Sequence, residues 1–321
     1  MVPHRFAPDA VLLAVAIVWG GSYLGAKDLA EASSVAAVLC LRFLPAALVL
    51  LAVVTWRRQL RVLGTVAAPG VILGIVRAAT IALETIGVTL TSATNAGLLI
   101  GLSVLITPVI ESVVTRRALS VRLIASVLLG VAGVTLLVGG SGLSTPSVGD
   151  ILILSAALTR AALGVAGARF AVSGARVVPL TTIELALGAL VFTLWGAGPA
   201  LASLPQFTPG DWAVVAYLSA GCTLMAFLGQ LWATSRTSAT RASIVLGTEP
   251  GWALAIGVFV AGDTLGATGI GGAAVLLAAL IWGAHAERRW RERGIREGSP
   301  VGPAATMPAE PARRAPSSSA P

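Results

Sequence analysis

Charged residues, histidine and cysteine are scarce in this sequence. Asp, Glu, Lys and Arg make up 11% of the 321 residues, and the chain has two histidines and two cysteines. Soluble domains carry about 25% charged residues, so this chain lacks the polar surface of a soluble domain. Cys40 and Cys222 lie within apolar runs, which gives no support to a disulfide framework or a metal cage. Because His4 and His285 lie at the edges of the apolar region, the sequence predicts neither an enzyme nor a cofactor.

Long apolar runs dominate what is present. The chain is 56% hydrophobic, with a mean hydropathy of +0.90. A transmembrane helix needs about 20 apolar residues to cross a hydrocarbon core of about 30 Å. Runs of suitable length occupy residues 9–29, 34–55, 64–89, 93–115, 120–139, 150–168, 177–196, 211–234, 242–261 and 264–284. The sequence therefore predicts an all-α integral membrane protein with ten transmembrane helices.

The basic residues cluster between alternate runs. These clusters contain Arg57, Arg58, Arg61, Arg116, Arg117, Arg122, Arg169, Arg176, Arg236 and Arg241. The opposite loops contain the acidic residues Asp28, Glu31, Asp211 and Asp263, with Lys27 as their only cation. Arginine collects in the cytoplasmic loops of membrane proteins. We therefore expect a multi-pass protein of the inner (plasma) membrane with both termini cytoplasmic, and we interpret the net charge of +8 as topology rather than nucleic-acid binding.

The two ends of the chain differ from the apolar region. Residues 1–8 form a short cytoplasmic N-terminus. Residues 285–321 are predicted to form a cytoplasmic tail, basic at first and then rich in Pro, Ala and Ser. We expect the basic stretch to extend the last helix along the anionic inner leaflet, and the remainder to be disordered.

A tetrapeptide, Thr-Ser-Ala-Thr, occurs twice, at Thr91–Thr94 and 146 residues later at Thr237–Thr240. The first copy has uncharged neighbours, whereas Arg236 and Arg241 flank the second. Matching loops with different charge indicate that one half is inserted upside down relative to the other. The sequence therefore predicts two inverted five-helix repeats, residues 9–140 and 150–284, in which Glu84 is opposite Gln230.

Several segments together resemble a known family. They are AIVWGGSYLGAK, LRFLPAALVL, LETIGVTLTSATNAGLLIGLSVLITP and RASIVLGTEP. With ten predicted helices in two repeats, the sequence resembles the EamA-type members of the drug/metabolite transporter superfamily. The resemblance implies a carrier with a central site between two bundles, enclosed by helices one to four and six to nine. It also implies peripheral helices five and ten, which are candidates for a homodimer contact.

Charged residues within the apolar runs are the main candidates for function. A charged side chain at the bilayer centre costs about 2.5–3.5 kcal/mol on insertion scales, so it usually faces protein or a water-filled cavity. Arg42 and Glu84 are expected at similar depth, where they would pair across helices, and Arg77 lies two turns from Glu84. One interpretation gives Glu84 a role in proton or cation coupling, with Arg42 and Arg77 holding an anionic group such as a carboxylate. The other is an ion-pair network that locks helices two and three together.

Two further charged residues lie in the second half. Glu249 precedes Pro250, which is expected to kink the helix and open the backbone for a proton or a substrate amine. The alternative is that Glu249 pairs with Arg236 or Arg241. Arg160 is a candidate contact for a substrate anion, and Glu184 is expected to pair with Arg160 or Arg176.

Uncharged candidates complete the site. Trp19 and Tyr23 share one face of the first helix and suit apolar or amine substrates, including by cation–π contact, although helix packing also accounts for them. Asn95 and Gln230 offer uncharged hydrogen bonds either to a substrate or between helices.

The sequence thus predicts a secondary transporter that exports a small metabolite, an amino-acid-like compound or a drug by alternating access, with protons as a candidate coupling ion. An uptake permease is the main alternative, and a non-transporting membrane scaffold is the next. The absence of a Gly-rich phosphate loop with its lysine excludes an ATP-driven pump.

Overall fold

The computed structural model describes residues 7–115, 119–140, 147–170, 176–237, 242 and 245–296. Residues 1–6, the tail from 297 onward, and the second tetrapeptide beyond Thr237 lie outside the described residues. Arg116, Arg117 and Arg241 lie outside them as well. Most of the predicted N-terminal segment and most of the predicted tail therefore lie outside the described residues.

The first half of the described chain contains eight helices. Its helices are α1 (Ala7–Gly20), α2 (Ser22–Ala32), α3 (Val35–Trp56), α4 (Leu60–Thr65), α5 (Ala67–Thr89), α6 (Ala93–Ile100), α7 (Leu102–Thr115) and α8 (Val121–Gly140). Hydroxyl caps define two of these starts. Ser34 accepts a hydrogen bond from the backbone N of Ala37 at 3.2 Å, and Ser92 accepts one from that of Asn95 at 3.0 Å. Each cap satisfies a backbone donor that the first turn leaves free.

The second half follows the same order. Its helices are α9 (Val148–Phe170), α10 (Val177–Ser203), α11 (Pro209–Ala216), the π-helix Tyr217–Met225, α12 (Ala226–Arg236), α13 (Glu249–Phe259) and α14 (Ala267–Arg296), with a 3₁₀ turn at Leu204–Gln206. A capping box between Thr208 and Asp211 starts α11. The last helix continues without a break beyond the apolar run 264–284 and through the basic stretch to Arg296, so the predicted extension of this helix is confirmed.

Seven helical stretches are long and apolar enough, by length and composition, to cross a membrane. They are Ala7–Ala32, Val35–Trp56, Ala67–Thr89, Ala93–Val114, Val148–Gly167, Val177–Gln206 and Pro209–Arg236. Val121–Leu137 and Ala267–Gly283 are shorter apolar helices. The predicted ninth run, 242–261, contains only the 11 residues of α13 as a described long helix. A multi-pass helical membrane protein is therefore confirmed, whereas the number of ten spanning helices is not.

The helices pack in a two-fold pattern. α3 packs against α10, α8 against α14, and α6 against α13, so each joins its counterpart in the other half. α5 packs against α9, and α1 packs against α12. Exchanging the two halves converts the first of these contacts into the second. Element order and contacts thus relate the two halves by an approximate two-fold axis.

An identical triplet shows how closely α3 and α10 correspond. Ala47–Leu48–Val49 in α3 matches Ala189–Leu190–Val191 in α10. Leu48 and Leu190 are 56% and 58% exposed, and Val49 and Val191 are both 46% exposed. Equal exposure at matching positions means that the two helices present the same face outward.

Candidate functional site

A chamber of about 720 Å³, counted with its open mouth, lies between the two halves. Helices of both halves line it. Its wall residues are Trp19, Ser22, Tyr23, Arg42, Leu73, Arg77, Thr80, Ile81, Glu84, Arg160, Leu163, Gly164, Gly167, Glu184, Phe227, Gln230, Leu231, Thr234 and Glu249. A second lobe of about 610 Å³ shares five of these residues, Arg160, Gly164, Gln230, Thr234 and Glu249, and reaches Ser103 and Thr107 of α7.

Arg160 lies at the junction of the two lobes. It binds Glu249 with both ends of its guanidinium, through Nη1–Oε1 at 3.1 Å and Nη2–Oε2 at 2.5 Å. The hydroxyl of Tyr23 donates to the same Glu249 Oε1 at 2.5 Å, and Glu84 Oε1 lies 3.7 Å from Arg160 Nη1. The guanidinium also lies over the Trp19 ring, 4.6 Å from its centroid. Five side chains predicted as site residues therefore meet in one cluster.

The position of Glu249 differs from the sequence expectation. Glu249 is the first residue of α13, and Pro250 follows in the first turn. A proline there removes no helical hydrogen bond, because the first backbone N–H groups have no partner within a helix. Pro250 therefore lies in the first turn of α13 and does not kink the helix. Among the described residues Glu249 pairs with Arg160, while Arg236 lies over the Trp232 ring at 4.6 Å.

Arg77 and Glu184 form a second buried ion pair. Arg77 Nε donates to Glu184 Oε2 at 2.6 Å, and the guanidinium carbon lies 4.0 Å from the centroid of the Phe227 ring. The expectation that Glu184 pairs with Arg160 or Arg176 is therefore wrong. Glu184 is 1% exposed overall but contributes to the chamber wall. The identical triplets of α3 and α10 could have indicated Glu184 as a site residue, since they make it the equivalent of the candidate Arg42 in the other repeat.

Arg42 has a neutral partner. Its Nε donates to Thr223 Oγ1 at 2.8 Å. Within the described chain, no carboxylate approaches Arg42 within 4.0 Å, so the expected Arg42–Glu84 ion pair is not formed. Arg42, Glu84 and Arg77 instead contact three different residues of the other half, namely Thr223, Arg160 and Glu184. The contacts therefore join the two bundles rather than locking α3 to α5.

The π-helix holds two chamber residues in place. Thr223, the partner of Arg42, donates its own hydroxyl to Leu218 O at 2.8 Å. The indole N–H of Trp19 donates to Cys222 O at 2.9 Å. Tyr217 donates its hydroxyl to Val18 O. π-Helical segments are rare and occur frequently at functional sites, and no pattern in the sequence indicates this one.

The remaining candidates separate into two groups. Gln230 lines both lobes, as its alignment with Glu84 suggests. Asn95 is 6% exposed and lies in the first turn of α6, outside the residues that line either lobe. The described residues contain no group of three or more His, Cys, Asp or Glu side chains arranged to hold a metal ion.

Hydrogen bonds of the first tetrapeptide tie several elements together at one end of the bundle, which we call the sealed end. Lys27 Nζ donates to Thr91 O at 3.1 Å, and Thr91 Oγ1 donates to Asp150 Oδ1 at 2.8 Å. The backbone N of Thr94 donates to Asp263 Oδ2 at 2.9 Å. These contacts connect α2, α6, α9 and the segment before α14. The sealed end is the end with arginine-free loops, and the second lobe extends toward the other end.

A helical membrane protein whose two halves enclose a charged chamber has the architecture of a membrane transporter. The EamA-like transporter family matches the chain twice, over residues 7–139 and 147–283, and the chain belongs to this family. The resemblance drawn from the sequence is therefore confirmed.

Solved structures support the same fold. Twenty-six of their chains match. One, described as "Crystal structure of protein", has 20% sequence identity and a TM-score of 0.61, over 90% of this chain and 99% of that one. At this identity the likeness shows the fold alone. No curated protein matches the chain.

Proposed function

We propose that this protein is a secondary carrier that exports a small polar metabolite by exposing its chamber alternately to the two sides of the membrane. One observation carries the proposal: residues of both halves line the chamber, a second lobe continues it toward one end, and none of the residues tied at the sealed end lines either lobe. A rocking motion of one half against the other would open the sealed end and close the lobe.

Inverted repeats support alternating access. If each repeat crosses the membrane five times, an odd number, the second repeat must start from the opposite side and run upside down. Because the two repeats pack in a two-fold pattern, an exchange of their conformations would convert the inward-open state into the outward-open state. The lobe faces the ends of α7 and α12, which adjoin the arginine clusters, so the chamber would load from the cytoplasm.

Glu84 is the proposed site of proton coupling. Of the three chamber glutamates, it has the loosest ion pair, 3.7 Å from Arg160. The charged groups that act on it are Arg160, Glu249, Arg42 and Arg77. Protonation of Glu84 would remove its ion pair with Arg160, and Arg160 would then pair with Glu249 alone. Glu84→Gln should therefore flatten the pH dependence of transport, and an unchanged pH profile would assign Glu84 a structural role.

The carrier proposal is tested by filling the chamber. Gly164 lines both lobes, and a Cβ at this position meets no atom within 4 Å, so Gly164→Phe should place a ring in the chamber without disturbing the helices. Gly198 also has open space around a Cβ and is exposed on α10. Gly198→Phe is therefore a matched control with the same added bulk on the outside.

The measurement is counterflow of a library of labelled metabolites in proteoliposomes. The wild type and Gly198→Phe should move at least one compound saturably, and Gly164→Phe should move none. Transport by Gly164→Phe at the wild-type rate would mean that the solute does not pass through the chamber. If the wild type transports no compound of the library and no protons, the proposal that this protein is a carrier is wrong.

A further inference from the structure

Two side-chain contacts hold equivalent places in the two halves. Arg77 Nε to Glu184 Oε2, at 2.6 Å, joins α5 to α10. Arg42 Nε to Thr223 Oγ1, at 2.8 Å, joins α3 to the π-helix. Both contacts use Nε of an arginine, both are buried, and both lie beside the chamber.

Sequence spacing shows that one contact is the two-fold image of the other. Arg42 and Glu184 each come five residues before the shared Ala-Leu-Val triplet. Arg77 and Thr223 each come 14 residues before the first threonine of a Thr-Ser-Ala-Thr copy. Exchanging the halves therefore carries Glu184 onto Arg42 and Arg77 onto Thr223.

The two images differ in charge. In the first, an arginine and a carboxylate neutralise each other. In the second, the partner of Arg42 is a hydroxyl, so its positive charge is retained at a residue only 4% exposed. Glu84 acts on Arg42 electrostatically but lies beyond 4.0 Å, so Arg42 has no carboxylate in contact among the described residues. An anion that reaches this buried charge gains a charge-assisted hydrogen bond.

The other two chamber arginines are already engaged. Arg160 has both Nη atoms on Glu249, and Arg77 holds Glu184 while it stacks on Phe227. Arg42 makes one side-chain hydrogen bond within the described chain, through Nε, and it lines the chamber. The two Nη groups of Arg42 are the fork that suits a planar carboxylate.

We infer that Arg42 is the anion-recognition residue of the chamber and that Thr223 determines its specificity, because a neutral residue at 223 reserves Arg42 for a carboxylate on the ligand. The inference rests on the proposed function in taking the chamber as the place where the solute binds. It differs from the sequence expectation, in which Arg42 and Arg77 shared this role.

The test restores the missing charge. Thr223→Asp places a carboxylate beside Arg42 Nε and should make the second contact resemble the first. Thr223→Ser is the matched control, since it keeps the hydroxyl. Phenylacetate and phenylacetamide are the probes, because they share a ring and differ in charge, and binding to the full-length protein in detergent is measured from ligand-dependent thermal unfolding.

The wild type and Thr223→Ser should bind phenylacetate about tenfold or more tightly than phenylacetamide, as expected for a hydrogen bond to a charged group. Thr223→Asp should lose this preference. Arg42→Gln should lose it as well, which provides a second variant if Thr223→Asp does not fold. Equal shifts with the two probes in the wild type, including no shift with either, would overturn the inference. So would a preference that persists in Thr223→Asp or in Arg42→Gln.

Failure of this inference and failure of the carrier give different results. If the wild type prefers phenylacetate but moves no compound in proteoliposomes, Arg42 is an anion site in a protein that is not a carrier. If the wild type transports compounds and binds the two probes equally, the carrier stands and Arg42 is not its anion site.

Discussion

The two halves of the molecule share their packing but differ in the charges that they bring to the chamber. The first half supplies Arg42, Arg77 and Glu84, and the second supplies Arg160, Glu184 and Glu249. With all six groups ionised, the first set is net positive and the second net negative, so the halves attract each other. Two-fold symmetry is therefore a property of the backbone and the apolar faces, whereas the chemistry of the chamber is asymmetric.

The largest expected difference between the halves is in the stability of two variants at equivalent positions. They are Glu184→Gln, which removes the acid from the first contact, and Arg42→Gln, which removes the arginine from the second. Glu184→Gln leaves Arg77 charged and buried, and loss of one partner from a buried ion pair costs about 3–5 kcal/mol. Arg42→Gln removes a charge that has no carboxylate within 4.0 Å among the described residues, so we expect a smaller loss, that of one hydrogen bond, or about 0.5–1.5 kcal/mol. The measurement is the free energy of unfolding in mixed detergent micelles.

The double variant Arg77→Gln/Glu184→Gln is the control for the first effect. It should recover much of the stability lost in Glu184→Gln, because no buried charge is left without its partner. Similar losses in Glu184→Gln and Arg42→Gln would show that the two contacts are energetically equivalent, contrary to their charges.

A glycine in α10 sharpens the comparison at the level of packing. Gly188 corresponds to Ala46 of α3, yet a Cβ at Gly188 would lie 2.6 Å from Cδ1 of the Phe43 ring. Gly188→Ala should therefore destabilise the protein by about 1–3 kcal/mol through overpacking. Unfolding in the same micelles measures the effect.

Gly198→Ala is the matched control in the same helix, since a Cβ there meets nothing within 4 Å. It should cost less than Gly188→Ala, because alanine favours helix over glycine and the added Cβ crowds just the following residue, Pro199. If Gly188→Ala behaves in the same way as Gly198→Ala, the Phe43 ring has room to move and the halves are less tightly fitted than the distances indicate.

The smallest expected effect compares the two ends of the chamber. Asp263→Ala removes the acceptor of the Thr94 backbone N–H at the sealed end. Loss of one such hydrogen bond should cost the sealed state about 1–2 kcal/mol and shift the balance toward opening by about 5–30-fold. The reporter is Ala93→Cys, a position 4% exposed, labelled by an impermeant maleimide from the side of the sealed end.

Asp28→Ala is the control for this labelling, since Asp28 is an exposed acid of the same end. It should leave the labelling rate of Ala93→Cys unchanged. An equal acceleration by Asp28→Ala would point to a change in loop charge, and an unchanged rate in Asp263→Ala would remove Asp263 from the seal.

The positions of most helices could be predicted from the sequence, because a run of apolar residues has little alternative to a helix in lipid. The run 34–55 corresponds to Val35–Trp56, and 64–89 to Ala67–Thr89. The prediction ended 177–196 too early, since α10 passes through Pro199 to Ser203. Apolar patterning locates a helix but does not show where it ends when polar residues continue it.

The partners of the charged residues could not be predicted in the same way. Arg77 and Glu184 are 107 positions apart in sequence, and Arg160 and Glu249 are 89 apart. Depth in the membrane limits which side chains lie at one level but does not show which helices face each other. The family resemblance predicted a central site, and the residues Trp19, Tyr23 and Gln230 do line the chamber, but the π-helix had no sequence signal.

That π-helix has a consequence for motion. An α-helix turns about 100° per residue, so a wide turn that migrates by one position would rotate the residue it passes by about 100° around the axis. The segment Tyr217–Met225 holds Arg42 through Thr223 and Trp19 through Cys222 O. A one-step migration would release both side chains at once while the helix stayed wound. Such a migration would therefore couple the positions of Arg42 and Trp19 to the rotation of this segment.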